Sequence, residues 1–156
     1  MLGPASAYAQ HWADYLRDRR WDLFGHFTFP GEVSQRVADM VWYKFVHKLN
    51  RFHYGVGYTK RRKQASRYAG TQIEIRWARA QEQQTRGAIH FHAVFAGVRK
   101  ELNATVLQAA QAWRKLTSGD AHSVVVLPYD PAKGGIEYMC KKLDVDRRPL
   151  EVGGQF

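Results

Sequence analysis

A single cysteine, Cys140, stands among 156 residues, so no intrachain disulfide can form, and neither a Cys-rich zinc site nor a CxxC redox pair is available. That usage suits a reducing compartment. With no export signal in the sequence, the expected location is the cytoplasm. No apolar run approaches the ~20 residues of a spanning helix, so no membrane partner is expected. A GxxxxGK[ST] phosphate loop and a GxGxxG fingerprint are both missing, which excludes a recognisable nucleotide motor or dinucleotide site within these residues. Acidic residues are scarce as well: 14 Asp and Glu face 24 Lys and Arg, for a formal net charge of +10. A pI near 9.9 points to a polyanionic partner, nucleic acid first.

What is present suffices for one domain over residues 1–156, with 45% hydrophobic residues to furnish a core and no helicase domain expected in this chain. Pro4 and the spacing of Tyr8, Trp12, Tyr15 and Leu16 predict an N-terminal amphipathic helix. Leu23–Phe29, closed by Pro30-Gly31, reads as a strand. Val37, Val41, Phe45, Leu49 and Phe52 predict a long helix from a cap near Ser34 to a stop at Gly55. The basic stretch from Gly55 to Gly70 reads as a loop. Thr71 to Gln83 reads as a half-buried strand, and the turn Thr85-Arg86-Gly87 returns the chain into Ile89–Phe95. A helix around Val106 and Trp113, a strand over Ser123–Leu127, a helix from Gly135 to Leu143 and an irregular tail after Asp146 complete the order. This succession matches an α+β fold, a ferredoxin-like split βαβ antiparallel sheet with helices packed on it plus an N-terminal helix. Strands one and three are then central neighbours.

Alternation places His90, His92 and Val94 on one face of their strand and Ile89, Phe91, Ala93 and Phe95 on the other. If the hairpin is a three-residue loop with Gly87 at positive φ, Glu82 faces His90 and Trp77 faces Phe95. Two imidazoles and a carboxylate on one face form a candidate site for a divalent metal with open positions for substrate. Such a set suits Mn²⁺, Mg²⁺ with more waters, or a catalytic Zn²⁺, and the donor set by itself does not choose between them, Mn²⁺ or Mg²⁺ being the expectation carried forward ahead of Zn²⁺. His26 alternates onto the side of Thr28 and reads as structural or supporting. On the last helix Tyr138 shares a face with Lys141 or Lys142, and an ammonium beside a phenol supports nucleophilic attack on a phosphodiester.

Phe27-Thr28-Phe29, then His90-Phe91-His92 preceded by Glu82, then Tyr138 with Lys141 form three ordered motifs. Across about residues 21–143 the chain resembles the HUH endonuclease superfamily, most closely the single-tyrosine rolling-circle replication initiators of plasmids and small single-stranded DNA phages and viruses. The resemblance implies a metal-dependent nuclease that nicks and rejoins origin DNA. Glu82, His90 and His92 would hold the metal and Tyr138 would be the nucleophile, assisted by Lys141 or Lys142. The expected product is a 5′-phosphotyrosyl link and a free 3′-hydroxyl. Implied partners are single-stranded or hairpin origin DNA, with a host helicase and polymerase; the sequence specifies no oligomeric state. DNA contacts are expected from Thr28, from Lys60, Arg61, Arg62, Lys63 and Arg67, and from Arg86 and Arg147-Arg148. Tyr54, Tyr58 and Tyr68 could stack bases or pack the loop.

Two other readings compete. A histidine-triad nucleotide hydrolase would need a third histidine where Val94 stands. A non-catalytic single-stranded nucleic-acid-binding module would explain the charge, but not the ordered histidines, glutamate and tyrosine. A transposase or relaxase would share the tyrosyl chemistry.

Overall fold

In a computed structural model, residues 5–146 and 148–155 are described. Met1–Pro4, Arg147 and Phe156 lie outside that description, as do the side chains of Lys142, Val145 and Asp146. The elements run α1 (Ala7–Arg17), β1 (Leu23–Thr28), α2 (Gln35–Tyr54), α3 (Tyr58–Lys63), a 3₁₀ turn (Ala65–Tyr68), β2 (Arg76–Gln83), β3 (Ile89–Ala96), α4 (Leu102–Thr117), β4 (Val124–Pro128), a 3₁₀ turn (Pro131–Lys133), α5 (Gly135–Asp146) and β5 (Glu151–Gly153). The described strands form one sheet of order β4-β1-β3-β2-β5. All of its neighbours are antiparallel. The first four strands thus realise the expected ferredoxin-like plan, with β1 and β3 side by side.

Local chemistry explains the boundaries. The Ser34 hydroxyl accepts the Val37 amide at 3.2 Å and caps α2, which ends at Gly55 with φ 74°. In the β2–β3 hairpin, Gln84 and Ala88 close a three-residue loop through a 2.9 Å bond. Gly87 sits at φ 80°, a backbone region where a side chain is strained, and a Cβ there would also run into the Glu32 carboxylate. That loop sets the register that pairs Glu82 with His90 and Trp77 with Phe95.

Period-two alternation in β1 and β3 gives the sheet two unlike faces. One carries Phe27, Phe91 and Phe95 against Trp42 and Phe45 of α2 and Trp113 of α4, all fully buried. Phe27 is edge-on to Trp42 at 5.7 Å and to Trp113 at 5.2 Å. The opposite face carries the histidines. Over β2 and β3 it is closed by α1 and α5, whose Ala13, Leu16, Ile136, Met139 and Cys140 pack on Ala78, Ala80 and Val94. Small alanines in the strand let those helices sit close.

Three segments differ from the sequence reading. Gly55–Gly70 is not a loop but mostly α3 and the 3₁₀ turn, because Tyr58 buries its ring, 3% exposed, and reaches His47 Nδ1 at 2.5 Å. The second strand begins only at Arg76 and is buried on both faces. Ile73 and Ile75 are buried ahead of it, Ile75 donating its amide to Asn50 Oδ1 at 2.7 Å. The tail supplies β5, which covers the edge of β2. Its Glu151 meets the buried Arg79 guanidinium at 2.7 Å, while Asp39 meets it at 2.6 Å. Three residues are too few to show a strand period in sequence.

Trp113 links core and sheet, since its indole also donates to the Thr28 carbonyl at 3.1 Å. Trp113→Ala is expected to cost about 3–5 kcal/mol in urea unfolding; a loss under ~1 kcal/mol would contradict this role. Buried His53 accepts the Arg99 and Lys100 amides on Nδ1, which only a neutral ring can do. Burial, followed by the charge of Lys100, lowers its pKa from 6.5 to about 4. The neutral ring therefore contributes stability that is full above pH 6.5 and is lost as pH falls towards 4, about 3 kcal/mol in all. His53→Gln should flatten the acid limb of stability against pH between those values, and an unchanged limb would refute the assignment.

Candidate metal centre

The pairing of β1 with β3 sets His26 opposite His92 and Thr28 opposite His90, while β2 sets Glu82 opposite His90. Alternation turns His26, His90 and His92 to one side, and one ligand nitrogen from each lies within 4.8 Å of the others. The three histidines are close enough to hold a metal ion. Ring centroids are 4.5 Å apart for His26–His92 and for His90–His92, and His90 Nε2 stands 3.4 Å from His26 Nδ1. The Thr28 hydroxyl lies 2.6 Å from His90 Nδ1, with the Gln84 amide at 3.5 Å, so two side chains orient that ring. Burial, then the charge of His92, lowers the His26 pKa to about 4, against a smaller opposing effect of Glu82. His26 is therefore neutral at pH 7, the form in which imidazole donates a lone pair.

Glu82 reaches this face, as the register requires, but its carboxylate meets His92 Nε2 at 2.9 Å and stands beside the trio. Among the described residues the metal-competent group is His26, His90 and His92 rather than Glu82, His90 and His92. A carboxylate on one ring nitrogen fixes the tautomer of a ligating histidine and raises its basicity. His26, read from the sequence as structural or supporting, thus stands with His90 and His92 in the group close enough to bind a metal. Its signal was present in sequence, since it alternates with Thr28 onto the histidine side, but its partner lies 64 residues further along at His90.

Tyr138 comes from α5 to the same centre. Its ring centroid is 5.1 Å from that of His92 and 6.5 Å from that of His26, and its side of the helix is exposed. Gly134 at φ 66° and Gly135 start this helix directly on Phe24: a Cβ on Gly135 would lie 2.9 Å from the ring. Lys141 is exposed and lines a small cleft between α1 and α5 with Arg17 and Glu137. The Lys142 side chain lies outside the described residues.

The α1–α5 layer leaves β1 and β4 open. Beside the histidines runs a cleft of about 510 Å³, floored by Phe24, Val125 and Leu127 and bounded by Thr28, His122 and Lys133. Sequence reasoning missed it because Val124–Leu127 is apolar on both faces and shows no exposed side, whereas Val125 and Leu127 are 47% and 45% exposed. Arg86, at the tip of the β2–β3 hairpin, is exposed at the histidine end of the sheet. Lys60, Arg61, Arg62, Lys63 and Arg67 are not brought there. They follow the C-terminus of α2, whose Tyr54 hydroxyl bonds the Gly97 carbonyl at the far end of β3, about 20 Å along the strand from His90. Arg61 also bonds the Tyr54 carbonyl, and Arg62 pairs with Glu74 at 3.4 Å. Arg147 lies outside the described residues.

No protein-family model matches the chain, and no curated protein or solved structure matches it. Within the described residues no helix is long and apolar enough to cross a membrane.

Removing one imidazole should weaken Mn²⁺ or Zn²⁺ binding in calorimetry as severely for His26→Ala as for His90→Ala. Glu82→Gln should cost about 10- to 100-fold through loss of ring orientation. Unchanged affinity in His26→Ala would return the third ligand position to Glu82.

Proposed function

We propose that this protein is a metal-dependent single-stranded DNA nicking and joining enzyme of the HUH kind, with Tyr138 as nucleophile. The observation that carries the reading is the arrival of Tyr138, from a separate element, over a cluster of three histidines in the central strands. A nucleophile beside a candidate metal centre that opens onto a cleft supplies the parts that phosphodiester transesterification requires.

A bound divalent ion supplies Lewis-acid polarisation of the scissile phosphate. His26, His90 and His92 would hold it, with Glu82 orienting His92 and Thr28 orienting His90. Imidazole donors favour Mn²⁺ over Mg²⁺, and Zn²⁺ is the other ion that suits them. The Tyr138 oxygen attacks phosphorus and gives up its proton, the bond from phosphorus to O3′ breaks, and O3′ leaves as a hydroxyl after gaining a proton. The 5′-phosphotyrosyl product conserves the bond energy, so rejoining needs no nucleotide. The released 3′-hydroxyl is a primer for a host polymerase, which fits rolling-circle initiation; a transposase or relaxase would use the same step. Lys141 and Lys142 are the candidates for charge balance on the phosphate.

The open apolar cleft over β1 and β4 supports a second reading, a binding module that stacks bases without cleaving. The two separate on one gel. Labelled single-stranded DNA libraries incubated with protein and Mn²⁺ are expected to give a denaturation-resistant adduct that Tyr138→Phe and EDTA both abolish. Salt-sensitive binding without any adduct would establish the binding module instead.

A further inference from the structure

The charge of this protein is unevenly placed. No Asp or Glu occurs in residues 40–73 or 102–119, which hold eight and two of the 24 Lys and Arg residues. The remaining 14 basic residues are matched by the 14 acidic ones, so these two stretches carry the whole net charge of +10. In the fold they come together as most of α2, all of α3 with its following turn, and α4. Both α2 and α4 pack on the sheet face opposite the histidines. Lys44, Lys48 and Arg51 recur at i, i+4 and i+7 and are exposed, forming a stripe about 10 Å long on α2. Lys48 and Arg51 stand between two shallow grooves of about 300 and 440 Å³, the first bounded on α4 by Lys115 and the second by Leu116.

We infer that this helical face is a second nucleic-acid site, a docking surface for the phosphate backbone of double-helical DNA. The occupant follows from the surface chemistry. A run of cations with no carboxylate inside it attracts a dense, regular polyanion, and double-stranded DNA carries one charge per ~1.7 Å of its axis. Single strands are held by stacking platforms, but the only large aromatic exposed among the described residues of these stretches is Tyr43. The histidine face carries the reverse pattern, an apolar floor beside His26 and His90. The choice of DNA rests on the proposed function: a duplex arm beside the nicked strand would lie across the helices while the single strand enters the cleft. Contacts of this kind position a substrate without reading its sequence.

The test uses the full chain, a 20-base-pair blunt duplex and a short single strand. Duplex binding is followed by fluorescence anisotropy across a salt series, with a triple variant, Lys48→Ala, Arg51→Ala and Lys115→Ala. The variant should bind duplex about tenfold or more weakly, with the slope of log K against log salt reduced by about 2–3, and should form the Tyr138 adduct on the short strand as wild type does. A second variant, Lys44→Gln with Lys63→Gln, should weaken duplex binding in the same direction. Wild-type affinity in both variants would overturn the inference, as would absence of duplex binding by the native chain at low salt. Binding to phosphatidylserine vesicles in place of duplex would overturn it too. Loss of the adduct reaction with duplex binding intact would remove the nicking function and leave this surface standing.

Discussion

Antiparallel pairing of His26 with His92 and of Thr28 with His90 is the constraint from which the rest of the site follows. Side chains alternate along a strand, so a slip of one residue would send the imidazoles into the aromatic core and Phe27 and Phe91 out to the cleft. Nothing intermediate is available. The register is held from the apolar side, where Phe27, Phe91 and Phe95 fit between Trp42, Phe45 and Trp113, and the hydrophobic cost of exposing them is far larger than any contact among the polar groups opposite. The same packing that stabilises the sheet therefore positions the histidines.

The two faces then take different work. The aromatic face is covered along its length by α2 and α4, and these helices together with α3 and its following turn carry the excess positive charge. The histidine face is covered only over β2 and β3, where alanines let α1 and α5 approach. Partial cover has two consequences. It brings Tyr138 over His92 from above, and it leaves the β1–β4 half open as a cleft. A second full layer would have buried the centre beyond reach of any substrate.

Within the centre, burial lowers the affinity of His26 for a proton, and the Glu82 carboxylate on His92 sets that ring's tautomer. Thr28 and Gln84 hold the orientation of the His90 ring through its Nδ1. His26 is thus presented as a neutral donor, and the rings of His90 and His92 are held in defined orientations beside it, as ligands to a divalent ion need to be. The proposed tyrosyl chemistry draws on that arrangement, and the proposed duplex surface lies on the opposite face of the sheet.

Much of this was legible in the residues alone. The helical periods of α2 and α4, the Ser34 cap, the Gly87 loop and the alternation of Ile89–Phe95 are local signals, and the order of strands and helices followed from them. So did the register that carries Glu82 across to His90, because a three-residue loop and two apolar faces admit one pairing. Short pieces were not legible: β5 has no period to read, and α3 condenses only because Tyr58 finds a place against His47.

What the sequence by itself determined is therefore the α+β plan, the sidedness of each strand and the presence of His90, His92 and Tyr138 as chemical groups. Only the tertiary structure decided that His26 joins the two histidines, that Glu82 stands against His92, and that the basic run of residues 60–67 lies at the far end of the sheet. Alternation says which side a residue faces. Distance across a sheet depends on which strands become neighbours, and in this split βαβ fold the neighbours of β1 come from segments more than sixty residues away.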